Sequence, residues 1–226
     1  MCNPCAETRE LLRVKQQKED REKRLIHFKE MKIIERLRDC NIGERFMGMD
    51  FNSYKPSCEK ATAILNSCRD YVSNYVDKSG CNLLMIGSPG TGKNMLAAII
   101  GQEIIKRDFS FLHTTAMKLV RNIKDSWRNK EESEQSIINM FVQPSLLVID
   151  EIGVQFGSAT EQLFLTEVIN ERYEKRRPTI LISNLTISQL TEVMGARVID
   201  RFYDDGSKIL VFDWPSYRRN KPENVS

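Results

Sequence analysis

The chain has 226 residues, 29% of them charged and 41% apolar, with a net charge of +3. That is enough chain for one well-packed domain plus an appendage, and too little charge to mark nucleic-acid binding by itself. No run approaches the ~18 apolar residues of a membrane span and no basic-then-apolar leader opens the chain, so a cytoplasmic protein without a membrane partner is expected.

Cysteines in such a compartment read as thiols. Cys2 and Cys5 form C-x-x-C, half of a zinc site. Only His27 and Cys40 are at hand to complete it, and the missing spacing favours an unliganded terminus. Residues 6 to about 40 hold no Pro or Gly and are crowded with Lys, Arg, Glu and Gln, which are good helix formers. Apolar residues cluster at the two ends (Leu11, Leu12, Val14; then Leu25 to Leu37), while Lys15 to Arg24 is almost wholly charged. Such a helical segment cannot build its own core; it is a solvated helix, a short coiled coil, or an arm that docks on a partner. The domains expected are therefore a charged helical arm over 1–45, a core over 46–219 and a polar tail over 220–226.

Two glycines and a proline break the pattern over 41–56, a linker that packs Phe46, Met49, Phe51 and Tyr54 on the core. A helix is expected over 57–77, then a short buried strand, Leu83 to Ile86. The loop that follows, Gly87, Ser88, Pro89, Gly90, Thr91, Gly92, Lys93, matches G-x-x-x-x-G-K. Its glycines let successive backbone N–H groups curl around an anion at the start of a helix, whose N-terminus favours negative charge. Lys93 adds an ammonium for the β- and γ-phosphates of ATP. Asn94 stands where Ser or Thr normally gives a hydroxyl to Mg²⁺; its carboxamide oxygen is a hard ligand set one atom further out.

A second strand is expected over 109–113, helices over 116–127 and 135–142, and a charged break between them. The stretch Ser145 to Glu151 then puts four apolar residues before two acids, as in a strand buried on both faces of a parallel sheet with its ligand site at the carboxyl end. Asp150 would hold Mg²⁺ through water and Glu151 would polarise an attacking water. A helix over 159–176 leads to a strand over 179–183. Its tip residue Asn184 would hydrogen-bond the γ-phosphate or that water. After a helix over 187–194, Arg197 and Arg201 stand one helical turn apart, on one face. Arg201 is a candidate arginine finger, supplied to a neighbouring copy of the chain. A last strand, 208–212, completes a five-stranded parallel sheet between helices, an α/β fold.

This order of motifs resembles an AAA+ ATPase. The stretches GSPGTGKN, LLVIDEIGVQ (Leu146 to Gln155), GARVIDRF (Gly195 to Phe202) and FDWPSYR (Phe212 to Arg218) resemble the DnaC replicative helicase-loader family and, less closely, the IstB transposition ATPases. The likeness covers roughly residues 42–219. It implies that Lys93, Asp150, Glu151, Asn184 and Arg201 fill the roles given above. It also implies that 116–142 matches the helical region with which these loaders contact single-stranded DNA, where Lys118, Arg121, Lys124, Trp127 and Arg128 would supply phosphate contacts and a stacking surface. The function it implies is ATP-dependent loading of a hexameric replicative helicase onto single-stranded DNA, with self-association through the ATP site. The alternative is an IstB-like, ATP-gated DNA-binding adaptor without a helicase. Two departures stand out. Residues 1–45 are shorter and more charged than the helicase-binding domain of longer loaders, and there is no room for a large helical lid, which leaves Arg218 as the candidate second-sensor arginine.

Overall fold

The computed structural model describes residues 33, 35–37, 40–127, 133–153, 159–204 and 206–219. Cys2, Cys5, His27, Arg128, the polar tail and nearly all of the expected arm lie outside them. Met1–Asp39 and Cys40–Ser226 are two separate compact units. The second thus begins ahead of the boundary expected after residue 45: Cys40 and Ile42 are buried, and the His113 N–H donates to the Cys40 carbonyl at 2.9 Å. Among the described residues no cluster of His, Cys, Asp and Glu is arranged to hold a metal by itself, and no helix is long and apolar enough to cross a membrane.

From Cys40 on, the elements alternate as the apolar pattern requires. A 3-10 turn, Glu44–Phe46, precedes α1 (Glu59–Ser73), β1 (Leu83–Gly87), α2 (Lys93–Lys106), β2 (Phe111–Thr115), α3 (Ala116–Ser126), α4 (Glu134–Val142) and β3 (Leu146–Ile152). Then come α5 (Ala159–Glu174), β4 (Thr179–Ser183), α6 (Ile187–Met194), α7 (Ala196–Asp200) and β5 (Lys208–Phe212). The strands make one sheet in the order β2-β3-β4-β1-β5, every pairing parallel.

Parallel strands covered on both faces read as continuous apolar runs, and Leu83, Leu84, Met85 and Ile86 are all buried. Leu84 and Ile86 join one cluster with Leu119, Ile123, Phe141, Val168 and Phe202 from α3, α4, α5 and the end of α7. Leu83 and Met85 point the other way, where α2 packs on the sheet and α1 packs on α2. Helix α2 is buried all round from Leu96 to Ile100, as expected of a helix whose sequence is apolar on every side.

Strand β2 runs two residues later than its sequence predicts. Asp108 takes φ +66 in the turn that ends α2, and the Phe109 N–H still donates to Ile104. The strand instead continues through Thr114 and Thr115, β-branched residues that suit a pleated surface. Thr115 then changes role and caps α3, accepting from the Lys118 N–H at 3.2 Å.

Candidate nucleotide site

The site grows from the carboxyl end of β1. Gly87 has φ +122, and a Cβ there would stand 2.2 Å from the Phe212 carbonyl oxygen, so only glycine lets the loop leave the sheet this close to β5. Gly92 caps α2 with φ +100 against the Tyr54 ring. Between them the loop turns its carbonyls to donors of the chain itself. Lys93 Nζ donates to Gly87 and Ser88 at 2.7 and 2.8 Å, and the Thr91 hydroxyl donates to Ser88 at 2.7 Å. Lys93 is only 5% exposed, and burial pulls its ammonium down to about 8, a fall that Asp150 opposes.

Strand β4 lies between β1 and β3, so whatever follows β4 leaves the sheet between the phosphate loop and the acids of β3. Asn184 is that residue, exposed and facing the same cavity as Glu151. Asp150 is buried; it accepts the Glu151 N–H at 2.7 Å and the side-chain N–H of Asn94. Burial raises its carboxyl above the ordinary range, against the pull of these donors and of Lys93.

Glu151 is placed by an irregularity. Pairing with β4 passes from Ile149↔Leu181 to Ile152↔Ser183, so β3 carries one extra residue. Glu151 takes up the bulge with φ +60, a left-handed conformation that costs a non-glycine residue about 1–3 kcal/mol. Ser183 pins the far side, its hydroxyl donating to the Ile152 carbonyl at 2.7 Å. The result separates two adjacent acids: Asp150 turned inward to Asn94, Glu151 turned out to solvent.

These residues line one cavity of about 610 Å³. The phosphate loop from Pro89 to Asn94 forms its floor with Asp150, Glu151 and Asn184. Two walls were not assigned to the site from sequence. One is the linker, with Arg45, Phe46, Tyr54 and Lys55; the other is the last segment, with Trp214 and Tyr217 beside Arg218, the one residue of these walls that the sequence did assign. The volume and the mixture of aromatic and cationic walls suit a nucleotide. Asp150 meets the Asn94 amide N–H, and its carboxylate with the neighbouring carboxamide oxygen makes a donor set that fits Mg²⁺, which takes one or two protein oxygens and fills the rest with phosphate and water.

Arg201 does not join this cavity. It directly follows α7, which ends at Asp200, and it is 8% exposed while Arg197 is exposed. Its guanidinium lies 4.4 Å from the centre of the Tyr173 ring and donates to Asn170. Tyr173 donates in turn to Asp204.

On α3, Lys118 and Arg121 are exposed, and Lys118 donates to Asn41 at 3.0 Å. Lys124 is paired with Glu161 at 2.6 Å. Trp127 is 57% exposed, with its edge against Phe164 and its N–H on Glu134. A buried cation escaped the sequence reading altogether. Arg172, fully buried, donates to the carbonyls of Phe141, Val142, Pro144 and Pro178 and to the Thr179 hydroxyl. Its position on a mostly polar helix gave no signal.

Residues 8–223 match the family described as IstB-like ATP binding protein. The chain is 36% identical over 168 residues to the replicative helicase loader DnaC of Escherichia coli (strain K12), covering 74% of this chain and 68% of that one. Among solved structures, the DnaC helicase loader superposes with a TM-score of 0.66 at 21% identity, over 75% of this chain and 99% of that one. AMPPCP-bound DnaA from Aquifex aeolicus gives a TM-score of 0.65 at 19% identity, over 79% of this chain and 53% of that one. These last two are likenesses of fold.

Proposed function

The chain belongs to the family of IstB-like ATP binding proteins and DnaC helicase loaders, and from that membership we propose that it uses ATP to load a replicative helicase onto single-stranded DNA. The observation that carries the reading is the convergence of the phosphate loop, Asp150, Glu151 and Asn184 on one cavity in a chain 36% identical to such a loader.

In this reading the loop N–H groups and Lys93 take the phosphates of ATP, and residues of the linker and the last segment, Arg218 among them, face the rest of the nucleotide. Asn94 and Asp150 would hold Mg²⁺, which neutralises phosphate charge when bound. Glu151, held outward by the bulge, orients and polarises the attacking water, and Asn184 hydrogen-bonds the γ-phosphate or that water. Arg201 acts on the nucleotide of a neighbouring copy. To do so it must leave Tyr173 and Asn170, which ties its release to assembly. Lys118, Arg121, Lys124, Trp127 and Arg128 face single-stranded DNA, and the arm over 1–45 holds the helicase.

The test is binding of a replicative helicase and of single-stranded DNA, each with and without ATP, in the full chain and in Lys93→Ala. Loading requires that ATP change at least one of the two and that Lys93→Ala abolish the change. Intact helicase delivery by Lys93→Ala would sink the mechanism. Helicase binding also separates this reading from an ATP-gated DNA adaptor that engages no helicase; the identity to DnaC favours the loader.

A further inference from the structure

The linker wall touches the phosphate loop through Tyr54. Tyr54 is buried, its hydroxyl donates to the Thr91 carbonyl at 3.2 Å, and its Cε2 would stand 2.6 Å from a Cβ built on Gly92. The ring therefore lies on the Gly92 Cα itself. We propose that Tyr54 is a positioning residue for phosphate binding, fixing the Thr91–Gly92 peptide and so the direction in which the Gly92 N–H points.

The geometry of the peptide unit supplies the reason. Carbonyl and N–H of one trans peptide lie in a plane and point in opposite directions, so a donor that holds the Thr91 oxygen also sets the Gly92 hydrogen. Loops of this kind bind anions with consecutive N–H groups, and a tilted peptide removes one donor from the set. The preceding peptide is treated alike: the Tyr217 N–H donates to the Gly90 carbonyl at 2.9 Å. With Lys93 and Thr91 holding the carbonyls of Gly87 and Ser88, four carbonyls of the loop accept from identified donors. In that set Tyr54 is the side chain that comes from outside the loop.

The linker is in turn fastened to the helix that the loop opens. Gln102 of α2, 2% exposed, accepts the Gly48 N–H at 2.8 Å and donates to the Phe46 carbonyl at 2.9 Å. Tyr54 thus reaches the loop from a strap anchored on the same helix, which keeps its hydroxyl in register with Thr91.

This inference rests on reading the cavity as a nucleotide site, and the experiment separates the two. Binding of ATP and of adenosine is measured by calorimetry or displacement for the full chain, Tyr54→Phe and Tyr54→Leu. Tyr54→Phe keeps the ring and removes one donor, so ATP should bind about threefold to tenfold more weakly, the range of one net hydrogen bond. Adenosine, which brings no phosphate to the loop, should bind unchanged, and the unfolding midpoint should stay close to that of the parent. Tyr54→Leu should weaken ATP further, again sparing adenosine. Unchanged ATP affinity in Tyr54→Phe overturns the positioning role alone, as does an equal loss for adenosine, which would make Tyr54 a wall of the base pocket. If the parent chain binds no ATP, the nucleotide reading falls and this role with it.

Discussion

Lys93 gives the site a pH dependence whose sign follows from its burial. The free lysine side chain titrates at 10.5; in this chain burial brings it to about 8, with Asp150 opposing the fall. Phosphates bind the ammonium form. Above pH 8 each ATP bound must first return a proton to Lys93, so affinity falls by the fraction deprotonated. From pH 7 to pH 9 that is about a tenfold loss, growing toward another factor of ten by pH 10. ATP itself changes little in charge over this range. Stability runs the opposite way. Between about 8 and 10.5 the unfolded chain binds more protons than the folded one, so unfolding becomes harder as pH rises through that window. Titration of ATP binding by calorimetry from pH 7 to 9.5 measures the first effect and thermal melts measure the second. Lys93→Arg supplies the control, since a guanidinium keeps its charge throughout and should flatten the binding profile whatever its absolute affinity. A parent profile flat to pH 9.5, or one that falls equally in Lys93→Arg, would refute the reasoning.

Three further outcomes are expected. Asn94→Thr should raise ATP turnover or metal affinity, because a hydroxyl nearer the backbone replaces the longer carboxamide beside Asp150; unchanged values in a coupled phosphate assay and a Mg²⁺ titration would show Asn94 to be a neutral substitute. Acid should destabilise the fold through His113, which is 8% exposed, has no hydrogen-bond partner for Nδ1 among the described residues, and is held by burial at about 4 instead of 6.5. The unfolded chain binds the extra proton between these values, so about 3 kcal/mol is lost as pH falls from 6.5 to 4, and denaturant melts of His113→Gln should lose that component. Arg172→Met leaves the carbonyls of Phe141, Val142, Pro144 and Pro178 without their common donor and should cost about 3–5 kcal/mol in urea unfolding; a loss below 1 kcal/mol would mean water takes over the donor's place.

What could be read in the sequence is what chemistry writes contiguously. The loop from Gly87 to Asn94 and the acids after Ile149 carry their meaning in neighbouring residues, and the apolar runs beside them mark strands covered on both faces. What escaped depends on the path of the chain in space. Tyr54 looked like one of four apolar contacts of a linker; its role comes from meeting Gly92, far along the chain, and no spacing encodes that. Arg172 drew no notice because the carbonyls that surround it belong to other segments. The surroundings of Arg201 were silent too: spacing sets it one turn from Arg197, but that it lies buried against Tyr173 depends on where α5 passes. The bulge at Glu151 was equally silent, since an extra residue in a strand shows only in its register with the neighbour.

Burial acts on Lys93 and Asp150 in a way that explains why the two belong to one site. It moves both toward their neutral forms, the lysine downward and the carboxyl upward, and each is the charge that partly resists the shift in the other. Neither is fully compensated: Lys93 is spent on two carbonyls of its own loop, and Asp150 on a carboxamide and a backbone N–H. A ligand that brings several negative oxygens together with a hard cation offers each group what the fold withholds, and it gains more here than the same charges would in water. Glu151 has no such debt, because the bulge leaves it in solvent. In the proposed function the two adjacent carboxylates would meet the nucleotide with different tasks, Asp150 holding charge and Glu151 polarising the attacking water, and the separation is made by a single extra residue in β3.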